Sequence, residues 1–263
     1  MNLDRQSFLG QESGLVISEA RATVVGLCGG GSHAAQQLAH IGVGTIRLVD
    51  FDRVDDTNLN RMVGLTAQDV AKQKLKTEVI ERLVRGINPD AKVEVYPSKW
   101  QDCERSLRDS TVIFGCVDSF MQRDELERFS RRFMVPYIDI GMDVSGDEGK
   151  FVIAGQIILS LPGYSCMRCM GFLNENVLAK EANNYGATGG KPQVVWPNGV
   201  LASVAVMQFM NLITPWQNND HPALYLDYDG NRSTVTPNNR LHCIKTESCK
   251  HFQGGVALGE VSW

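Results

Sequence analysis

The chain has 263 residues, 43% of them hydrophobic, and a formal net charge of −4, enough length for a large core in one domain. This mildly acidic balance argues against nucleic acid as a partner, and the lack of an apolar leader or of any run of about 18 apolar residues argues against a membrane span, leaving the cytoplasm as the default location. Seven cysteines, an odd number, include the pair Cys166-x-x-Cys169, which in a reducing compartment reads as metal binding rather than a disulfide.

Taken in chain order, the apolar run Ala22 to Leu27 leads into glycines and then into Ala34, Ala35, Leu38, Ala39 and Ile41 at helical spacing: strand, tight turn, helix. Thr45 to Val49 is a second buried strand ending at Asp50, so the three elements make a βαβ unit with parallel strands. Thr66, with Asp69 three residues later, predicts an N-cap for a helix from about Ala67 to Arg85. Strands at about Val93 to Tyr96, Val112 to Cys116 and Tyr137 to Ile140 alternate with helices, which predicts a doubly wound, Rossmann-like α/β fold. After Gly141 the pattern changes: Phe151 to Leu161 reads as a strand or hairpin arm, and Leu224 to Leu226 with Ser233 to Thr236 as a hairpin around Asp229-Gly230-Asn231. Together they predict an antiparallel C-terminal extension. Between them, Glu181 to Pro197 is rich in Gly, Asn and Pro and reads as a long mobile loop of functional kind, before a helix over Gly199 to Ile213. The chain is expected to form a nucleotide-binding half over roughly 20–141 and an antiparallel half over 142–263.

The turn Gly26 to Gly31 precedes a helix start, where glycine lets a phosphate approach main-chain N–H groups and the helix end favours an anion. Asp50, at the end of the second strand, is placed to accept hydrogen bonds from ribose hydroxyls. A G-x-G-x-x-G read from Gly26 meets Cys28 at its second glycine, and a reading from Gly29 gives Gly29, Gly31 and Ala34. The glycines alone leave a nicotinamide cofactor, ATP and a purely structural turn open.

The runs Gly26-Leu27-Cys28-Gly29-Gly30-Gly31-Ser32, Gly42-Val43-Gly44, Leu48-Val49-Asp50-Phe51-Asp52 and Asn58-Leu59-Asn60-Arg61 resemble the ThiF/MoeB adenylating enzymes, relatives of the ubiquitin-activating enzymes. The resemblance extends to Lys76 before Ile87-Asn88-Pro89, to Gly115-Cys116-Val117-Asp118 with Arg123, to Arg5-Gln6, and to Cys166-Met167-Arg168-Cys169. It implies an enzyme in which the C-terminal glycine carboxylate of a small protein attacks the α-phosphate of ATP, giving an acyl-adenylate and pyrophosphate. It also implies roles: Asp50 on the ribose, Asn58, Arg61 and Lys76 on the phosphates, and Asp118 carrying Mg²⁺. Arg5 would reach the partner's ATP across a homodimer. Bland readings stand beside these. Asn58 and Arg61 could belong to a solvated loop with a helix cap. Lys72 and Lys74 make a charged helix face around Lys76, with Lys74 a possible substitute. Asp118 could be an ordinary helix cap, Arg123 a helix-surface arginine, and Arg5 a residue of a loose terminus.

Cys166 and Cys169 have zinc-knuckle spacing, and the resemblance implies a second pair in the tail, here spread to Cys243 and Cys249. Four such ligands would close a structural Zn²⁺ site, with His251 or His242 as substitutes for Cys243. Cys28, Cys103 and Cys116 read as small buried residues. Gln193 to Val200 lacks the cysteine that thioester-forming relatives carry there, so adenylation is expected without a covalent cysteine step, Thr188 being a conceivable acceptor. The expected substrate is a ubiquitin-like protein that passes to a conjugating partner. The alternatives are a sulfur-carrier protein, a peptide in antibiotic synthesis, an NAD-dependent oxidoreductase and a non-catalytic scaffold.

Overall fold

The computed structural model describes residues 3–147, 149–183, 192–217, 222–246 and 248–252. After a 3-10 turn at Asp4–Leu9 come α1 (Ser13–Glu19), β1 (Arg21–Val25), α2 (Gly29–Ile41), β2 (Thr45–Val49), α3 (Ala67–Ala71), α4 (Lys76–Ile87) and β3 (Lys92–Tyr96). There follow α5 (Glu104–Leu107), β4 (Val112–Gly115), α6 (Phe120–Arg132), β5 (Tyr137–Ser145), β6 (Val152–Ser160), α7 (Glu175–Asn183), α8 (Val195–Ile213), β7 (Tyr225–Asp229) and β8 (Thr234–Pro237). The strands form one sheet in the order β3-β2-β1-β4-β5-β6-β7-β8. The first five pair in parallel and the remaining pairings are antiparallel, as the change of pattern after Gly141 predicts. Strand order reverses between β1 and β4, and a crevice at the carboxyl ends of strands at such a switch point is where open α/β sheets bind ligands.

Local sequence explains the elements that frame this crevice. Ala22 and Val24 of β1 are fully buried, and Gly26, at φ +86°, ends the strand where a side chain would strike the Cys116 carbonyl. Along α2 the stripe Ala34, Ala35, Leu38 and Ala39 is buried, with Gly42 closing the helix in the left-handed region. α8 packs on α2 and on the β5–β6 arm. That approach is close: a side chain at Gly29 would run into Asn198, and one at Gly199 would press on His33.

The structure corrects several expected boundaries. The helix predicted over Ala67 to Arg85 is two helices, broken at Gln73, whose φ is +47°. The break has a polar cause. Asp69 receives bonds from Thr66 and Arg82 and pairs with Lys74 at 3.1 Å, which closes α3 on itself and turns the chain. β5 runs on to Ser145, because its far half pairs with β6 across the Gly141 region. The expected loop from Glu181 starts inside α7, and α8 already begins at Val195 with Pro197 in its first turn, where a missing N–H costs nothing. Among the described residues no helix is long and apolar enough to cross a membrane.

Candidate nucleotide site and metal centre

The glycine turn ends at the amino terminus of α2, for which Cys28 is the N-cap residue and supplies no side-chain hydrogen bond. The first-turn amides therefore present an anion-binding helix end. The glycines themselves serve the protein's own packing. A side chain at Gly31 would sit 1.8 Å from the Gly26 carbonyl oxygen, and one at Gly29 would sit 2.6 Å from the Asn198 amide nitrogen. Sequence alone credits these positions to an approaching phosphate, whereas the structure gives each a steric reason of its own.

Asp50, buried at the end of β2, clamps the turn: its carboxylate accepts from the Leu27 amide at 2.8 Å and from the Asp52 amide at 2.9 Å. Burial pushes this carboxyl up, opposed by the nearby Lys76 ammonium. Lys76 is the first residue of α4, so the break at Gln73 is what carries it to the strand ends. Its Nζ meets Asp52 Oδ2 at 2.6 Å. Burial would lower the ammonium's pKa, but Asp50 and Asp52 hold it above its ordinary value, so it stays charged. Lys74 faces Asp69 instead, which removes it as a substitute. Asp52 is a partner that sequence reasoning passed over, although it lies in the same run as Asp50.

Arg61 shares this neighbourhood. Burial raises the Cys28 thiol while the charges of Lys76 and Arg61, both near enough to act on it, pull it down. The Arg61 guanidinium folds back on the Thr57 carbonyl and on Asn60 Oδ1, and its buried Nε has no hydrogen-bond partner among the described residues. An orphaned buried donor beside an open helix terminus fits a phosphate oxygen. Asn58 is buried and occupied by a cap: its Oδ1 accepts from the Asp55 amide while Asp55 caps Thr57. Its side chain thus holds the loop that carries Arg61.

Asp118 stands at the neighbouring strand end, exposed, two residues beyond the Cys116 that abuts Gly26. It is not the cap of α6, because Ser119 accepts the Gln122 amide in that role. An exposed carboxylate at the rim of this crevice is the kind of hard oxygen ligand that Mg²⁺ takes. Arg123 is no surface residue: it is buried and bonded to Asp139, which also holds Tyr137 and Gln156. Arg5 is exposed on the first 3-10 turn, next to Leu3, which packs on Gly42 at the far end of α2 from the glycine turn. Thr188 lies outside the described residues. The chain re-entering at Gln193 is tied to the Arg61 loop through Asn60 Nδ2 at 2.9 Å.

Cys166, Cys169, Cys249 and His251 bring their ligand atoms within 4.8 Å of one another. The fourth member is His251 and not Cys243, which is exposed at the end of a short 3-10 turn. Three thiols and one imidazole make up a four-ligand donor set of the kind Zn²⁺ takes in structural sites. Burial and the neighbouring Lys250 and Arg168 lower the His251 pKa, favouring the neutral ring a metal needs. Burial, with Glu127 beside it, raises the Cys166 thiol, so a cation is what would hold it as thiolate. Among the remaining cysteines, burial raises Cys28 and Cys116 and pushes Cys103 up to about 11, so none of these three offers a low-pKa nucleophile.

Comparison with protein-family models matches residues 2–250 to the ThiF family. Curated relatives include the sulfur carrier protein ThiS adenylyltransferase of Bacillus subtilis, 33% identical over 109 residues covering 41% of this chain and 32% of that one. They also include the SAMP-activating enzyme E1 of Haloferax volcanii, 33% identical over 57% of this chain and 53% of that one. The tRNA threonylcarbamoyladenosine dehydratase of Escherichia coli is 30% identical over half of each. The chain thus spans about half or less of the length of these relatives. Among solved structures, E. coli MccB with ATP superposes with a TM-score of 0.70 at 21% identity, over 93% of this chain and 69% of that one. MccB with N-formylated MccA gives 0.73 at 20% identity over the same shares, a likeness of fold.

Proposed function

The chain belongs to the ThiF family, and from that premise we propose that it is an ATP-dependent adenylyltransferase activating the C-terminal glycine carboxylate of a ubiquitin-like protein. We read residues 1–263 as one ThiF-type adenylation domain. The observation that carries the reading is the buried, unpartnered Arg61 Nε and the Lys76 ammonium on Asp52, both acting on Cys28 at the head of the uncapped α2, next to the Asp50 carboxylate that clamps the turn. In the proposed step the carboxylate oxygen attacks the α-phosphorus, and the α–β bridging bond breaks so that its electron pair leaves on pyrophosphate. Charge grows on the phosphate oxygens, where Arg61 and Lys76 stand as fixed cations in a partly buried site. Asp50 keeps acceptor capacity for the ribose after binding two amides. Mg²⁺, held by Asp118, would neutralise the triphosphate and draw charge toward the leaving pyrophosphate.

The adenylyltransferase and activating-enzyme relatives support this class of chemistry over the dehydrogenase reading. Activation of a sulfur-carrier protein uses the same site and is the second reading, favoured by the ThiS adenylyltransferase relative. Raised thiols at Cys28, Cys103 and Cys116 favour direct transfer from the adenylate to a conjugating partner. A homodimer is part of the proposal. By helical rise α2 sets Gly42, on which Leu3 packs, about 20 Å from the glycine turn, and on this reading the nearby Arg5 serves the site of a second copy. Exposed Trp196, Val200 and Met207 on α8 offer an apolar surface for that copy.

The test is ATP–pyrophosphate exchange with purified ubiquitin-like and sulfur-carrier proteins ending in glycine, alongside the same proteins lacking that glycine. Exchange that requires the terminal glycine supports adenylation, and the class of protein giving it decides between the two readings. No exchange with any glycine-ended protein, or exchange indifferent to the glycine, counts against the proposal.

A further inference from the structure

α7 carries a carboxylate that none of the roles above uses. Glu181, in the last turn of α7, reaches to the beginning of α6, some sixty residues earlier in the chain. Its Oε1 accepts the Phe120 amide at 2.9 Å, and its Oε2 accepts the Met121 amide at 2.8 Å and the Ser119 hydroxyl at 3.2 Å. These donors are the cap and the first two residues of α6, directly after Asp118. From the other side Arg123, within the first turns of the same helix, is locked to Asp139 and the Ile140 carbonyl. The start of α6 is therefore fixed from two directions, and Asp118 is the exposed residue at its edge.

Electrostatics give that arrangement a consequence. A helix amino terminus attracts anions, and two of them, those of α2 and α6, flank the switch point between β1 and β4. The terminus of α6 is filled by Glu181, while that of α2 has no side-chain cap. Of these two termini, the one without a side-chain carboxylate in place is that of α2.

We propose that Glu181 is a positioning residue for nucleotide-bound magnesium: it fixes the start of α6 so that Asp118 offers its carboxylate to the metal, and it closes the α6 amides to phosphate. The proposal rests on the reading of Asp118 as the Mg²⁺-carrying acid. Neither the glycine turn nor any motif of the nucleotide half announces it, since the donors and acceptor come from separate halves of the chain.

The experiment is calorimetric titration of the full chain with ATP, in excess Mg²⁺ and in Mg²⁺-free buffer without chelator, for wild type, Glu181→Ala, Glu181→Gln and Asp118→Asn. Wild type should bind ATP more tightly with Mg²⁺. Glu181→Ala should lose about fivefold or more of that gain, the scale of a charge-assisted hydrogen-bond set, while its affinity without Mg²⁺ stays within about twofold of wild type. Glu181→Gln keeps the size but turns an N–H₂ toward donors, and should lose a smaller part of the gain. Amide exchange at Phe120 and Met121 should speed up in Glu181→Ala, with the metal content of the Cys166/Cys169/Cys249/His251 centre unchanged. If both Glu181 variants keep the full Mg²⁺ gain, the residue is merely structural and the proposal is overturned; if Glu181→Ala does not fold, Glu181→Gln alone decides. If Asp118→Asn keeps the gain, the premise and this inference fall together while ATP binding stands. Failure of wild type to bind ATP in either condition strikes the adenylyltransferase reading itself.

Discussion

The two candidate sites are built in opposite ways. At the candidate nucleotide site, four segments between Asp50 and Asp118 bring their polar side chains to one end of the parallel strands, and the cations are held by short bonds to carboxylates and carbonyls already present. At the Cys/His centre, two pieces of chain about eighty residues apart must meet before any donor set exists. The first site therefore follows from the topology of the sheet, whereas the second requires closure of the tail onto the β6 arm. A bound metal there would be part of folding, and loss of a phosphate-binding cation would be a matter of rate.

That difference sets the order of expected effects. Cys166→Ser, or stripping metal with a chelator, is expected to destabilise the protein by on the order of 5 kcal/mol, seen as a fall in melting temperature with loss of about one zinc per chain. Cys243→Ala should leave zinc content intact and stability within about 0.5 kcal/mol, while His251→Ala lowers zinc content. Reversed behaviour of these two variants would return the fourth position to Cys243. At the other end, Arg61→Ala and Lys76→Ala should each reduce pyrophosphate exchange by about 10²- to 10³-fold with melting temperatures close to wild type. A large stability loss with modest loss of exchange would make those residues structural.

Smaller effects sharpen the comparison. Gly29→Ala should cost about 1–3 kcal/mol by thermal or denaturant unfolding, because its new methyl meets the Asn198 side chain, and Asn198→Ala in the same chain should recover much of that loss. Recovery together with ATP binding separates packing from phosphate contact at this glycine. At the sheet edge, burial would raise Glu94, but Lys92 and Arg47 hold its carboxyl at about 2. Its folded pKa lies below the unfolded value, so its contribution is complete above about pH 4.3 and is lost as the pH falls toward 2. Glu94→Gln should flatten this acid limb by about 1 kcal/mol, a figure reduced for solvent screening, with no change in exchange at neutral pH.

Much of the parallel part of the sheet is legible in the sequence because its signals are local. Strands, the glycine turn and the order of Asp50, Arg61, Lys76 and Asp118 lie in runs whose spacing follows the βα repeat. The helix period misled at Gln73, where a polar network centred on Asp69 outweighed an apolar stripe that would have continued. The same break is what delivers Lys76, so a local failure of the pattern coincides with a candidate functional position. Spacing could not choose among Cys243, His242 and His251, since ligation in the tail depends on where it folds back. Glu181 was illegible for the same reason: its three bonds depend on how α7 docks, and nothing around Ala182 or Lys180 marks an acid that will meet α6.

The most direct measurement is a crystal structure of the chain with ATP, Mg²⁺ and a glycine-terminated tail of a ubiquitin-like protein. The expected result places the phosphates between the α2 terminus and the Arg61 and Lys76 side chains, with Asp118 on the metal and the tail carboxylate facing the α-phosphate. A triphosphate bound elsewhere, or Arg61 and Lys76 still turned to Thr57 and Asp52 with the nucleotide in place, would contradict it.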